Sequence, residues 1–424
     1  MQCETFSTGV RVAVAVFIAT LLVPGARVAA QEKVLHNFNL DGSGGASPLY
    51  GALITDEAGN LYGTTSEGGP PNRTGTVFEL HPPLAGKKSW REAVLWSFSD
   101  IDSGKGGIEP FAGLVFDSSH INLYGTTYIG GTYNGGTIFE LSPKKGGGWT
   151  HTVLHDFNDD NGDGYDPYAG LVIDAKGNLY GTTYRGGASG LGTVFELKPP
   201  AAGKTDWTEH ILHSFQGNPT DGANPEAGLS FDGNGNLYGT TVYGDTNGLY
   251  NAGTVFELSP VAGGGWKYTG VIWSFSNNGV DGSEPGYGSL VLDKSGNLYG
   301  TTSGGGTNFL GTVFELSPKT GGSWSETILW DFGSGEDGAF PYAGVIFDTS
   351  GNLYGTTFQG GEYDDGSVFK LTPNLTESLL HSFNNNGVDG FEPYAGLLLN
   401  HGVLYGTTPG GGKDGFGTVF RVKP

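Results

Sequence analysis

Apolar and polar positions along this chain repeat over a distance much longer than a single helix or strand. The phrase Leu-Tyr-Gly-Thr-Thr starts at Leu61, Leu123, Leu179, Leu237, Leu298, Leu353 and Leu404, and a phrase like Gly192-Thr193-Val194-Phe195-Glu196-Leu197 follows each copy. In the third copy the pattern predicts four strands: Tyr168–Asp174, a turn at Ala175-Lys176-Gly177, then Asn178–Tyr184, Gly192–Leu197 and Glu209–Phe215. Intervals between the leucines are 62, 56, 58, 61, 55 and 51 residues, so length varies in loops while the strand phrases hold. Because side chains alternate across a strand, Tyr180 and Thr182 oppose Leu179 and Gly181, and both faces of each sheet need cover. Stacking of neighbouring copies supplies it, in a ring or a solenoid.

One detail selects the ring. Val34-Leu35-His36-Asn37-Phe38 matches the fourth-strand phrase, yet it precedes the first copy, and the last copy lacks that phrase. The expectation is an all-β, seven-bladed β-propeller over residues 31–424, closed by the N-terminal strand pairing with Gly417–Val422 in the C-terminal blade. An open solenoid would need terminal repeats with a distinct polar face, and both end copies keep the interior code.

The first 30 residues read differently. A basic residue at Arg11, an apolar run Val12–Val23 and small residues Val28-Ala29-Ala30 predict a secretory signal peptide cut after Ala30. The sole cysteine, Cys3, would leave with it, which excludes disulfides and thiolate metal sites from the mature protein. The expected location is the periplasm or the exterior, with no membrane span. A net charge of −22 argues against nucleic acid or anionic lipid as partner, since both require a positive surface.

Several repeated residues invite chemical readings that their phase argues against. The position before the closing strand residue is His36, Trp96, His155, His213, Trp273, Trp330 and His381; equivalent positions lie on separate blades and do not converge on one metal. They are read as packing or local hydrogen-bonding residues, and Trp90, Trp149, Trp207, Trp266 and Trp324 as packing. Glu79, Glu140, Glu196, Glu257 and Glu315 become Lys370 and Arg421 in the last blades, so this is not an obligatory acid. The Asp-Gly-x-x-Pro crossover, as at Asp221-Gly222, reads as a turn that leads into the next blade. One crossover is richer: Asp159, Asn161 and Asp163 have the spacing of half a calcium loop, and either a Ca2+ site or a solvated turn accounts for them.

Copy-specific side chains fall on the second-to-third-strand loops. They are Arg73, Tyr133, Arg185, Asp245, Tyr250, Phe309, Glu362, Tyr363, Asp364, Asp365, Lys413, Asp414 and Phe416. Aromatics beside charges on one rim suit an extracellular glycan or a peptide. No catalytic triad, phosphate loop or cofactor fingerprint stands out. The coupled phrases Gly177–Thr183 and Gly192–Leu197 resemble the GloVer tandem repeat of secreted bacterial proteins, over essentially the whole mature chain. The resemblance implies secretion and carries no catalytic residues to transfer. The expected function is a ligand-binding or structural module of the cell exterior; the alternative is a polysaccharide hydrolase or lyase acting at the rim or channel.

Overall fold

The fold was read from a computed structural model that describes residues 32–42, 44–99, 106–158, 162–217, 221–244, 252–276, 278–333 and 336–424. Seven four-stranded antiparallel sheets follow one another, and six of them are each formed from one stretch of chain, with a two-residue strand between the second and third strands in three. The seventh is completed from the other end of the chain. Lys33 pairs with Arg421, Val34 with Phe420, His36 with Val419 and Asn37 with Thr418. Closure by the N-terminal strand is therefore as expected, and the Phe38 amide extends the ladder by donating to Gly417 O at 3.0 Å. The predicted signal segment lies outside the described residues.

The third blade shows why the phrases read as they do. Its strands are Val172–Ile173, Leu179–Thr183, Thr193–Lys198 and Thr208–Ser214, with Gly181 opposite Phe195. The inner strand is shorter than the Tyr168–Asp174 expected, because the residues before it crowd the ring axis. There the blades meet backbone to backbone: a Cβ on Gly51 would sit 2.6 Å from Gly113 N of the next blade. Leu179 enters the core, and the Tyr180 hydroxyl donates to Asp174 and to Glu196 at 3.2 and 2.8 Å. Where lysine replaces that glutamate, the Lys370 ammonium lies over the Tyr354 ring. Gly181 leaves space for Phe195, whose Cζ would be 2.6 Å from an added Cβ.

The two threonines do different work. Thr182 Oγ1 donates across the blade interface to Ala227 O at 3.0 Å, and Thr64, Thr126, Thr301 and Thr356 make the equivalent bond. Thr183 Oγ1 pairs with Thr193 Oγ1 inside the blade at 2.8 Å. One threonine therefore ties blades together and the other ties strands together. In a dry interface each such bond also prevents a buried polar group from being left unmatched.

The repeated His/Trp position sits between blades on the outer side. His213 Nε2 lies 3.1 Å from Asp221, stacks on Tyr268 of the next blade at 3.6 Å, and Tyr268 donates to Asp221. His381 meets Asp389 at 2.9 Å, and His155 meets Asp163 at 3.2 Å and Glu209 at 3.6 Å. The local hydrogen-bonding reading of the histidines thus holds at these interfaces, and the five phased tryptophans pack against the core clusters. At the interface with Trp273 the acid is Glu326. Burial first, and then the Asp281 carboxylate beside it, raise its carboxyl from the ordinary range to about 9.

Two predictions follow from this packing. Gly181→Ala forces a methyl against Phe195 and should cost roughly 1–3 kcal/mol by urea unfolding; unchanged stability would show that the glycine is not there for packing. Glu326 binds its proton more tightly folded than unfolded, so its contribution is fully present below pH 4.5 and is lost as pH rises toward about 9. Glu326→Gln keeps the neutral shape and should flatten the fall in Tm across that window. An equal fall in both proteins would place the titration elsewhere.

Candidate functional site

Each crossover into a new blade contains a proline, and the residue before it has a positive φ in all seven: Ser47, Glu109, Asp166, Asn224, Glu284, Phe340 and Glu392, between 54° and 58°. None is glycine, so each holds a sparsely populated conformation. Hydrogen bonds fix it: the Asp166 amide donates to Gly135 O of the preceding blade, and its carbonyl accepts from Tyr184 N, both at 3.0 Å. The other crossovers repeat the first bond, and those without a proline after the second threonine repeat the second. The chain is thereby turned so that the residues just past the proline reach the axis.

Those residues are Tyr50, Phe111, Tyr168, Glu226, Tyr287, Tyr342 and Tyr394, one from each blade. Six are aromatic and one is a carboxylic acid. The rings meet across the axis: Tyr50 stacks on Tyr287 with centroids 4.3 Å apart and lies edge-on to Tyr394 at 5.4 Å, and Tyr342 stacks on Tyr394 at 5.2 Å. A second tier comes from the position after the second threonine. Tyr128 stacks on Phe111 at 4.8 Å, Tyr184 lies edge-on to Tyr168 at 5.3 Å, and Phe358 packs on Tyr394 at 4.7 Å. Beneath lies a cavity of about 260 Å³, lined by the inner segments of all seven blades, including Tyr50, Tyr168, Glu226, Tyr287 and Tyr394. The aromatic group therefore forms the mouth of the central channel.

Glu226 hydrogen-bonds with Tyr287, which in turn is linked to Tyr50. Burial raises its carboxyl to about 7; the bond from Tyr287 opposes the shift, and the Glu284 charge adds to it. Burial likewise holds the phenols of Tyr50, Tyr168, Tyr287 and Tyr342 above their ordinary range, so they are neutral donors. A partly dry mouth of neutral phenols with one acid near its titration point can orient a polar or charged group against aromatic faces.

The residues expected on the rim are placed separately. Arg185 comes nearest the mouth: it pairs with Asp166 at 3.2 Å, and its guanidinium lies 5.6 Å from the Tyr184 ring. Arg73 reaches Leu40 O, Phe416 packs in a core cluster, and Asp364 caps its own loop through Gly360 N. Tyr133, Phe309 and Tyr363 are exposed on three different blades, and the Glu362 amide donates to Ser382. Tyr250 and Asp245, and Asp159 and Asn161 of the calcium reading, lie outside the described residues. Asp163 accepts from Asn158 N and Gly164 N and faces His155 and Glu209.

A family model for the Gloeobacter/Verrucomicrobia repeat matches residues 22–250 and 245–424. The chain belongs to that family. None of the curated proteins matches this sequence. Among solved structures, this Gloeobacter/Verrucomicrobia repeat protein is similar to PorZ, a bacterial surface component of the type-IX secretion system of Porphyromonas gingivalis. Identity is 14%, coverage is 92% of this chain and 48% of PorZ, and the TM-score is 0.53. A puromycin-hydrolyzing peptidase of Mycobacterium tuberculosis gives 12% identity, 90% and 54% coverage, and a TM-score of 0.52. This chain thus spans about half the length of each, and the likeness is one of fold. Among the described residues no helix is long and apolar enough to cross a membrane.

The aromatic mouth is what the sequence reading missed. The signal is present as one column just past the crossover proline, aromatic in six copies and Glu226 in the fourth. Attention to the second-to-third-strand loops alone passes over it.

Proposed function

We propose that this chain is a secreted binding module that takes an extracellular glycan or peptide at the tyrosine-lined mouth of its channel. The observation that carries this reading is the break in symmetry at Glu226. Blade phrases that serve packing are repeated almost unchanged, whereas this column departs from its code once, at the axis, where all blades contribute. Aromatic faces supply contact area, and the carboxyl and phenols orient the ligand. Exposed Tyr133, Phe309 and Tyr363 on the same rim would extend contact with a longer ligand. Hydrolysis by two carboxyls needs them on opposite sides of the scissile bond, whereas the acid whose charge reaches Glu226, Glu284, stands on the adjoining blade. The uniform blades favour binding for the same reason.

The test is calorimetry of the mature protein against a panel of oligosaccharides and peptides, with product release followed in parallel. The expected result is saturable binding without product. Tyr287→Ala should weaken it about tenfold or more while leaving Tm close to that of the parent, as for a central aromatic contact. Turnover of a panel member, or binding untouched by Tyr287→Ala and Tyr50→Ala, would contradict the reading.

A further inference from the structure

We infer that the group recognised at the mouth is a cation, an ammonium or methylated ammonium carried by a peptide or a small molecule. The inference rests on the mouth being the binding site and chooses among its possible ligands. Three features of the geometry point the same way. Four of the six rings, Tyr50, Tyr168, Tyr287 and Tyr394, line the cavity at the axis, and an aromatic face attracts a cation through its quadrupole, most strongly when the cation is desolvated. The single non-aromatic member of the ring is an acid, so the one ring position that can carry charge favours a positive group.

The third feature is the collar. Glu109, Glu284 and Glu392 occupy three of the seven left-handed crossover positions around the same opening, and among the described residues none of them is ion-paired with a basic side chain. The cation nearest the mouth, Arg185, is already paired with buried Asp166. A neutral sugar would use the aromatic faces but would gain little from this surplus of negative charge. Size agrees: about 260 Å³ is below the usual range for a whole small-molecule ligand and suits a head group.

Ionisation of Glu226 is the event that a bound cation would favour. The groups facing it are Glu284 and Tyr287 of the fifth blade, with Tyr50, Tyr168, Tyr184 and Tyr342 from the others. With its carboxyl held near 7, the ionised fraction rises about tenfold from roughly pH 6 to pH 8, and cation affinity should rise with it.

The experiment uses the mature chain labelled with 3-fluorotyrosine, titrated with tetramethylammonium, a trimethyllysine peptide, its norleucine counterpart and a neutral hexasaccharide. Mouth tyrosine resonances, assigned by Tyr50→Phe and Tyr287→Phe, should shift with both cationic probes. Affinity for the trimethyllysine peptide should exceed that for the norleucine peptide at least tenfold. It should rise with pH in the parent and be lower and pH-independent in Glu226→Gln. Equal binding of the norleucine peptide or hexasaccharide, unchanged in Glu226→Gln, would overturn the cation inference and leave the mouth as the site. No shift of the mouth tyrosines with any probe would overturn both.

Discussion

Everything in this ring depends on one contact made seven times: an edge-to-face pair of buried phenylalanines at each blade interface. The Phe after one blade's outer strand meets the third-strand Phe of the next, as Phe98 meets Phe139, Phe157 meets Phe195 and Phe383 meets Phe420, with centroids 5.0–5.4 Å apart. Phe38 and Phe78 make the seventh pair at 5.2 Å. Each ring is fully buried, so a blade without a neighbour would expose it. Edge-to-face aromatic pairs contribute roughly 0.5–1.5 kcal/mol beyond the area they bury. The larger effect is geometric: the pair and the glycine beneath the third-strand Phe at every interface, and the threonine bond to the next blade's carbonyl at five of them, set how each blade meets the next. The N-terminal strand supplies the last outer strand of the circle.

Closure brings the crossovers to a common axis, and this produces the site. A residue past the crossover proline meets equivalents from other blades as well as its own blade's second tier: Tyr50 touches Phe111, Tyr168, Tyr287 and Tyr394. Repetition that is ordinary packing elsewhere therefore becomes a ring of side chains around one opening, and a single substitution such as Glu226 gives that opening a direction. The left-handed residues before the prolines hold the arrangement, anchored through backbone bonds to the preceding blade. Their side chains are thus free to vary, which is how acids can collect around the mouth without disturbing the fold.

The fold was legible because its determinants are local and repeated. Leu179, Gly181, Thr182 and Phe195 recur in phase, and the displaced Val34–Phe38 phrase encodes closure. The site was less legible, since it is assembled from residues about 55 positions apart whose convergence exists only after the ring forms. Tyr168 looks like the start of a strand, and Glu226 like one more surface acid. Loop residues such as Tyr133 and Phe309 drew attention because they differ from copy to copy, yet their loops hold them on separate blades. The histidines, by contrast, follow from phase: equivalent positions in a ring lie on separate blades, and each faces an acid at the interface beside it.

Amide hydrogen exchange of the outermost strands tests the closed ring most directly. In a closed ring, the strand Lys33–Asn37 is equivalent to Thr208–Ser214, each followed by a phenylalanine whose amide donates to the glycine carbonyl just before the third strand: Phe38 to Gly417 and Phe215 to Gly192. The account predicts comparable protection for the Phe38 and Phe215 amides, lost together under denaturant as the ring opens cooperatively. Rapid exchange at Phe38 while Phe215 stays protected would mean that the N-terminal strand does not close the ring.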